Sequence, residues 1–256
     1  MVLYLGLPQP ISILKTAWQW WTYAARYEGY AAATRRLAGV LWEFARDSTP
    51  DRRRARYGDA DYDWDYRVNT TSGAVGWRDR LIGMFHSAYQ PTEPGAFHEM
   101  LGALPGGINS SPINFHDFTF VDLGSGKGRT LLMAADYPFR RIVGVELLAS
   151  LHQIAAQNLR QYKSASQKCF VLEAICADAT AYEFPEDLLV VYLFNPFPES
   201  GMRRVIANLE RSLRAHPRAV YVLYHNPLLE HTLSENAALR KIVSGPQYSL
   251  FGSVCV

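Results

Sequence analysis

A cluster of glycines follows an apolar run near the middle of the chain and could bind a nucleotide. The segment reads VDLGSGKGR, residues 121–129, and contains Gly124, Gly126 and Gly128. Glycine permits the sharp turn and the close ligand approach that a nucleotide loop between a strand and a helix needs. The glycines are not spaced G-x-G-x-x-G as in dinucleotide-binding loops. Lys127 is followed by Gly128, whereas the lysine of a P-loop is followed by Ser or Thr. The loop therefore favours a ligand with a nucleoside but no phosphate.

Three carboxylates stand at the ends of successive apolar runs and could recognise such a ligand. Glu146 lies 18 residues beyond Gly128, where a carboxylate can accept hydrogen bonds from both ribose hydroxyls. Asp178 could accept from the exocyclic amine of an adenine. Asp122 could hold the glycine loop or meet a ligand ammonium. Each could also be a surface group or a cap, but together the three predict adenosine binding.

Short apolar runs that alternate with helix-period segments must position these groups. This pattern predicts an open, doubly wound, mostly parallel α/β sheet, which binds ligands outside the carboxyl ends of its strands. The helix-period face of residues 202–213 predicts a helix with Ser200 as its N-cap. The strands are expected at 118–123, 141–146, 169–175, 188–194 and 219–225.

These residues resemble the class I S-adenosylmethionine-dependent methyltransferases. VDLGSGKGR is similar to their first motif, GVE to their ribose-binding acidic motif and ADA to their adenine-contacting motif, over roughly residues 86–230. In more detail the chain is similar to uncharacterised bacterial members with YQPTEP, DLGSGKGR, YNPF-like and YHNP segments. The resemblance implies a Rossmann-like fold, S-adenosylmethionine as cofactor and S-adenosylhomocysteine as product. The implied cofactor-binding residues are Tyr89, Thr92, Asp122, Gly124, Ser125, Gly126, Gly128, Glu146, Leu147, Asp178, Ala179 and Asn195.

Two of these residues precede the predicted sheet. In such relatives the segment before the first strand covers the cofactor, which nominates Tyr89 and Thr92. Thr92 could also be a helix N-cap, with Pro94 in the first turn of the following helix. Both roles are compatible.

The segment Asn195-Pro196-Phe197-Pro198 ends the fourth predicted strand, where the cofactor methyl is expected. Methyl transfer from a sulfonium needs an aligned electron pair and exclusion of water. The Asn195 oxygen and a neighbouring carbonyl could accept the N–H groups of an amine, and Pro196 adds no competing donor. The order differs from the [DN]-P-P-[FY] of enzymes that act on nucleobase amines, and it resembles the N-x-F element of non-SET histone-lysine methyltransferases. In a structural interpretation, Asn195 caps a turn, Phe197 fills the core and Pro198 precedes a helix.

His225 ends the fifth predicted strand in YHNP and is a candidate general base or a hydrogen-bonded structural histidine. The candidate catalytic residues are therefore Asn195, Phe197 and His225. The leading hypothesis is methylation of an amine nitrogen on a small molecule or a protein side chain. The alternatives are O-methylation of a small molecule, and a non-catalytic cofactor-binding protein that uses its N-terminal helices for interaction.

Composition narrows the class of protein further. Of the 256 residues, 48% are hydrophobic and 20% charged, which is typical of a globular protein. The formal net charge of +2 gives no reason to expect a nucleic-acid partner. Cys169, Cys176 and Cys255 lack metal-type spacing and are expected to be reduced thiols, and no metal site is expected. No signal peptide or membrane span is expected either, so the protein is predicted to be cytoplasmic.

The residues before the predicted sheet differ in composition from those of the sheet. Residues 11–47 predict one or two amphipathic helices, which could pack on the main domain or lie on a membrane surface. Residues 51–67 carry four arginines followed by four aspartates at alternating positions and are interpreted as an exposed connector, with a polyanion site at the arginines Arg52, Arg53, Arg54 and Arg56 as the alternative. The expected division is an N-terminal helical extension and lid, residues 1–112, and an S-adenosylmethionine-binding methyltransferase domain, residues 113–256.

Overall fold

The computed structural model describes residues 13–47, 60–71, 90–105 and 113–254. Its helices are α1 Ile13–Glu28, α2 Tyr30–Asp47, α3 Ala60–Tyr66, α4 Pro94–Gly102, α5 Arg129–Ala134, α6 Ala149–Gln161, α7 Glu199–Ala215 and α8 Glu230–Ser234. Its strands are β1 Phe118–Leu123, β2 Arg141–Glu146, β3 Leu172–Cys176, β4 Leu188–Phe194, β5 Val220–His225, β6 Leu239–Ser244 and β7 Tyr248–Ser253. Short 3-10 helices cover Phe115–Asp117 and Ala179–Ala181.

One sheet organises the described part of the chain, with the strand order β3-β2-β1-β4-β5-β7-β6. Strands β1 to β5 are mutually parallel, and β7 runs antiparallel to both β5 and β6. The predicted fold class, a doubly wound and mostly parallel Rossmann-like sheet with helices before it, is confirmed.

The order of the strands reverses between β1 and β4. From β1 the chain proceeds outward to β2 and β3, and it then returns to pair β4 with the other edge of β1. A reversal of this kind opens a crevice at the carboxyl ends of the two central strands, and open α/β sheets bind their ligands there. In this chain the crevice lies between Leu123 and Leu193, which are partners in register.

Each face of the sheet has its own apolar core. On one face Phe97, Met100 and Leu101 of α4 and nearly all of α5 pack against Phe120 and Tyr192. On the other face α7 packs against the strands through a helix-period stripe, which consists of Met202, Val205, Ile206, Leu209 and Leu213. The carboxyl ends of the strands are thereby held rigidly between two layers of helix.

Two details of the sheet differ from the sequence prediction. Strand β3 begins at Leu172 rather than at residue 169, because the amide groups of Lys168 and Cys169 donate to the Ala135 carbonyl after α5 instead of to a strand. The antiparallel hairpin of β6 and β7 was not predicted. It adds the last two strands beyond β5 and ends the sheet with the partly exposed β6.

Two local predictions are wrong. Helix α7 begins at Glu199 with the extended Pro198 as its N-cap, so Ser200 lies inside the first turn and does not cap it. The interpretation of residues 51–67 as an exposed connector fails for its described part, since residues 60–66 form α3 and Tyr62 packs against the core.

The helices α1 and α2 pack on each other through the small residues Ala24, Ala25 and Ala33, beside the half-buried Trp21. The Trp21 ring nitrogen donates to the Thr34 hydroxyl at 3.2 Å and links the two helices. Across the described residues, no helix combines the length and the apolar character that a membrane crossing requires.

Candidate active site

The glycine loop of residues 124–128 turns at the carboxyl end of β1. Gly124, Gly126 and Gly128 have φ of 91°, 56° and 82°, which is the left-handed region that glycine adopts without steric cost. The amide groups of Gly124 and Ser125 both donate to the Val145 carbonyl, at 2.8 and 3.1 Å, and tie the loop to β2. The predicted turn between strand and helix therefore forms.

The turn after β4 packs directly on this loop. A Cβ atom added at Gly124 would lie 2.5 Å from the Cβ of Pro196, so only glycine allows the approach. The segment Asn195-Pro196 and the glycine loop are therefore in direct contact at the crevice between β1 and β4.

Glu146 supports the glycine loop from the end of β2. One carboxylate oxygen accepts from the Gly126 amide and the other from the Leu148 amide, both at 2.8 Å. The side chain is only 7% exposed. Burial raises the pKa of the Glu146 carboxyl, against the opposing effect of the backbone hydrogen bonds. Because a carboxylate has about four lone-pair sites, Glu146 could still accept from ribose hydroxyls.

Asp122 is buried under the same loop. Its carboxylate accepts from the Thr130 hydroxyl at the start of α5. Burial raises its pKa to about 7, with a smaller contribution from Glu146 and an opposing one from the Thr130 hydrogen bond. The carboxyl therefore titrates near neutral pH and holds the glycine loop to the helix that follows it.

The carboxylate of Asp178 is exposed and lies at the end of β3. One of its oxygens accepts from the Thr180 amide at 2.8 Å and caps the short helix Ala179–Ala181. The other oxygen remains available to a ligand at this edge of the crevice.

Two Asn-Pro turns lie side by side at the ends of β4 and β5. Asn195 and Asn226 both have positive φ, 45° and 48°, a conformation that few residues other than glycine adopt. The Asn195 side-chain oxygen accepts from the Tyr224 hydroxyl at 2.7 Å, and its amide nitrogen donates to the Asn226 carbonyl. Non-glycine residues in this region cluster at functional sites. The side chain of Asn195 is thus held in one orientation.

A buried hydrogen-bond chain joins Thr92, Tyr192 and His225. The Tyr192 hydroxyl is 2.8 Å from the Thr92 hydroxyl and 2.9 Å from Nδ1 of His225. The His225 ring stacks on Phe194 with centroids 4.1 Å apart. Burial lowers the pKa of His225, so the ring is neutral at neutral pH.

Thr92 does not cap a helix. Helix α4 has Glu93 as its N-cap and Pro94 at its first position, while the Thr92 hydroxyl bonds to Tyr192. The alternative interpretation of Thr92 as an N-cap is therefore wrong. Sequence reasoning also missed Tyr192, because it lies in an apolar strand and nothing in the strand's pattern distinguishes its hydroxyl.

Most of the predicted site residues lie along the crevice, with exceptions. Tyr89 lies outside the described residues. Phe197 is half-buried and packs against the core on the α7 face. The Ser125 hydroxyl is buried without a hydrogen-bond partner in the described part of the chain. The other predicted groups lie at strand ends, apart from Thr92, which lies just before α4: Asp122, Gly124, Gly126 and Gly128 at β1, Glu146 and Leu147 at β2, Asp178 and Ala179 at β3, Asn195 at β4 and His225 at β5.

Comparisons with known proteins bear on this site. Residues 120–216 match the family model described as a methyltransferase domain. That match covers the glycine loop, Glu146, Asp178 and Asn195. These residues form a methyltransferase domain. The predicted enzyme class, a methyltransferase, is confirmed by this match.

Solved structures similar to the methyltransferase include an RNA methyltransferase from Salinibacter ruber in complex with S-adenosylhomocysteine. It is 19% identical with a TM-score of 0.41, and the match covers 65% of this chain and 94% of that one. A ribosomal protein L11 methylase from Lactobacillus delbrueckii is 16% identical with a TM-score of 0.37, covering 54% and 69%. A dimethyladenosine transferase from Plasmodium falciparum is 11% identical with a TM-score of 0.44, covering 65% and 63%. No curated protein matches the chain.

Proposed function

We propose that the enzyme methylates an amine nitrogen, on a small molecule or a protein side chain, and that Asn195 orients the amine. One observation carries the proposal: the Asn195-Pro196 turn packs on Gly124, with its proline 2.5 Å from where a Cβ would be. An amide in this turn would lie beside the loop that we propose for the cofactor. The proposed cofactor residues are those at the ends of β1, β2 and β3.

The chemistry asks little of the protein beyond alignment. S-adenosylmethionine supplies a methyl group activated by the positive charge of its sulfonium. The nitrogen lone pair forms the new N–C bond while the C–S bond breaks and its electron pair stays on sulfur. The nitrogen then loses one proton to recover neutrality. The residues of the chain must hold the lone pair in line and exclude water.

The environment of Asn195 suits this task. Its side-chain oxygen accepts one hydrogen bond from Tyr224, which leaves a second lone pair for a substrate N–H. Pro196 has no N–H that could compete for the substrate lone pair. The left-handed backbone at Asn195 and the contact to Asn226 fix the direction of the amide. For Phe197 we propose a supporting role, because it packs against the core beneath the turn.

A second candidate function is O-methylation of a small molecule. The buried chain Thr92, Tyr192 and His225 favours it, because burial keeps His225 neutral, as a general base for a hydroxyl must be. The two candidates predict different effects of His225→Gln. O-methylation predicts a loss of at least about 100-fold in turnover and loss of the pH dependence in the acidic range. Amine methylation predicts a change of less than about tenfold.

The direct test is transfer of a radiolabelled methyl group from S-adenosylmethionine into a cell lysate. The products are separated into protein, nucleic acid and small molecules, and each fraction is treated with acid and with base. We expect label that stays on nitrogen through both treatments, in the protein or small-molecule fraction. Label in nucleic acid, label that base releases as methanol, or stable label that mass spectrometry locates on oxygen would contradict the proposal.

A further inference from the structure

Residues 60–71, here called the strap, form α3 and the loop after it. The Asp63 carboxylate at the middle of α3 accepts from the amide groups of Thr70 and Thr71, at 2.8 and 2.9 Å, and from the Thr70 hydroxyl. These bonds fold the end of the strap back onto its own helix. Val68 and Thr70 are buried, so this end lies inside the protein and not on its surface.

Two cations of the glycine-loop segment are directed to the strap. The Lys127 ammonium donates to the Asn69 side-chain oxygen at 3.1 Å and to the Thr71 carbonyl at 2.5 Å. Arg129 donates to the Thr70 hydroxyl at 2.7 Å, and its guanidinium lies 4.6 Å above the Tyr62 ring.

Both cations are almost fully enclosed. Lys127 is 0% and Arg129 2% exposed. Burial lowers the pKa of Lys127 to about 8 and that of Arg129 to about 10. Burying a charge is costly unless hydrogen bonds compensate for the lost water, and the strap supplies those acceptors. The strap and the loop are therefore coupled, because the docked strap supplies hydrogen-bond acceptors where it excludes water.

A single amide in α6 joins the strap to the loop backbone. Asn158 accepts from the Asn69 amide and donates to the Asn69 and Lys127 carbonyls, all at 2.9 Å. Its two donor hydrogens are both used, and its side chain is 1% exposed. Lys127 is thus fixed by its carbonyl as well as by its side chain.

This fixation matters because Lys127 lies between Gly126 and Gly128. Both glycines have positive φ, and glycine loses more conformational freedom on ordering than any other residue. Ordering a residue costs conformational entropy, and a loop that is already ordered does not add this cost to ligand binding. The groups that hold Lys127 are therefore in a position to set the affinity of the loop for its ligand.

We propose that the strap is part of the cofactor site, and that Lys127 and Asn158 are positioning residues through which it holds the glycine loop ready for S-adenosylmethionine. Neither residue needs to touch the cofactor. Because linkage is reciprocal, bound cofactor stabilises the docked strap to the same extent. The proposal rests on the cofactor lying at the glycine loop, and it is independent of the acceptor.

The test compares Asn158→Ala and Lys127→Met with the matched controls Gln157→Ala and Lys163→Met, which replace exposed side chains on or just after α6. S-adenosylhomocysteine affinity is measured by calorimetry in the full chain, beside the thermal midpoint. We expect at least a tenfold loss of affinity in both variants at a temperature where each is folded, and less than a twofold change in the controls. Folded variants with affinity within twofold of the wild type would overturn the proposal.

A second measurement decides the matter if either variant fails to fold. Amide hydrogen exchange of residues 69–71 is followed in the wild-type protein with and without saturating S-adenosylhomocysteine. We expect exchange to slow at least fivefold on binding, since the ligand favours the docked strap. Unchanged exchange in this segment, with slower exchange in residues 124–128, would contradict the coupling. Neither readout requires a methyl acceptor, so failure here leaves the proposed amine methylation untouched.

Discussion

Asp122 is a buried carboxyl group near the end of β1. It lies under the glycine loop, 3% exposed, and accepts from the Thr130 hydroxyl. Burial raises its pKa to about 7 from its usual value near 4. The folded protein therefore binds a proton at Asp122 more tightly than the unfolded chain does. The stability that this proton contributes is fully present below about pH 4 and is lost as the pH rises through 7.

Replacement of Asp122 by asparagine should remove this dependence. Between pH 4 and 7 the wild type should lose up to about 4 kcal/mol of unfolding free energy relative to Asp122→Asn, since each unit of pKa shift corresponds to about 1.4 kcal/mol. Urea unfolding of both proteins at several pH values measures the difference. A difference that stays constant from pH 4 to 8 would show that Asp122 has an ordinary pKa in the folded protein.

The loop after β1 and the turn after β4 are in direct contact. Gly124 ends β1 and Pro196 follows β4, and their contact leaves no space for a side chain at position 124. Since β1 and β4 are rigid neighbours in the sheet, any displacement at Gly124 must be taken up by the Asn195-Pro196 turn.

Gly124→Ala should therefore damage both loops. The φ of 91° is strained for alanine by about 1–3 kcal/mol, and the added Cβ must displace Pro196. We expect lower stability in urea unfolding and at least a tenfold weaker affinity for S-adenosylhomocysteine. Gly95→Ala in α4 is the control, because a Cβ there meets nothing within 4 Å and should leave both quantities unchanged or raise stability slightly. Equal behaviour of the two variants would refute the role of this contact.

Sequence reasoning located the elements whose signal is local. Strands β1, β2 and β4 are found with the predicted bounds, because each is a short apolar run closed by a turn or a carboxylate. The contacts of the strap were not predicted, because they join residues that are distant in the sequence. The aspartates at alternating positions around Asp63 are typical of a solvated segment. Only the folded chain brings Asp63, Lys127 and Arg129 together. The same holds for Tyr192, whose partners are distant in sequence.

For the molecule as a whole, we propose that residues 60–71 and 90–105 belong with the sheet. Val68 of the strap and Phe97, Met100 and Leu101 of α4 lie in the same apolar core as Phe120 and Tyr192. The division at residue 112 remains a prediction, and in this proposal only the helices α1 and α2 form an extension. Their own core is a small cluster of alanines.

Phe97→Ala tests this proposal. The Phe97 ring is fully buried, 5.9 Å from the ring of Phe120 and 5.8 Å from that of Tyr192. Truncation should lower the free energy of unfolding of the whole domain by about 3–5 kcal/mol. Leu41→Ala on α2, where the side chain is 46% exposed, should change it by less than about 1 kcal/mol. A small effect of Phe97→Ala on the main unfolding transition would place α4 outside the domain.

The central claim is that Asn195 orients an amine beside the cofactor, and a comparison of two asparagines tests it most directly. Asn195 and Asn226 share a positive φ and a following proline, but only Asn195 is proposed to reach the substrate with its side chain. The rate of methyl transfer into the acceptor fraction and the S-adenosylhomocysteine affinity are measured for Asn195→Ala and Asn226→Ala. We expect at least about a 100-fold loss of rate in Asn195→Ala with affinity within about threefold, and less than about a tenfold loss in Asn226→Ala. Equal rates in the two variants, or a loss at Asn195 explained by cofactor affinity alone, would contradict the account.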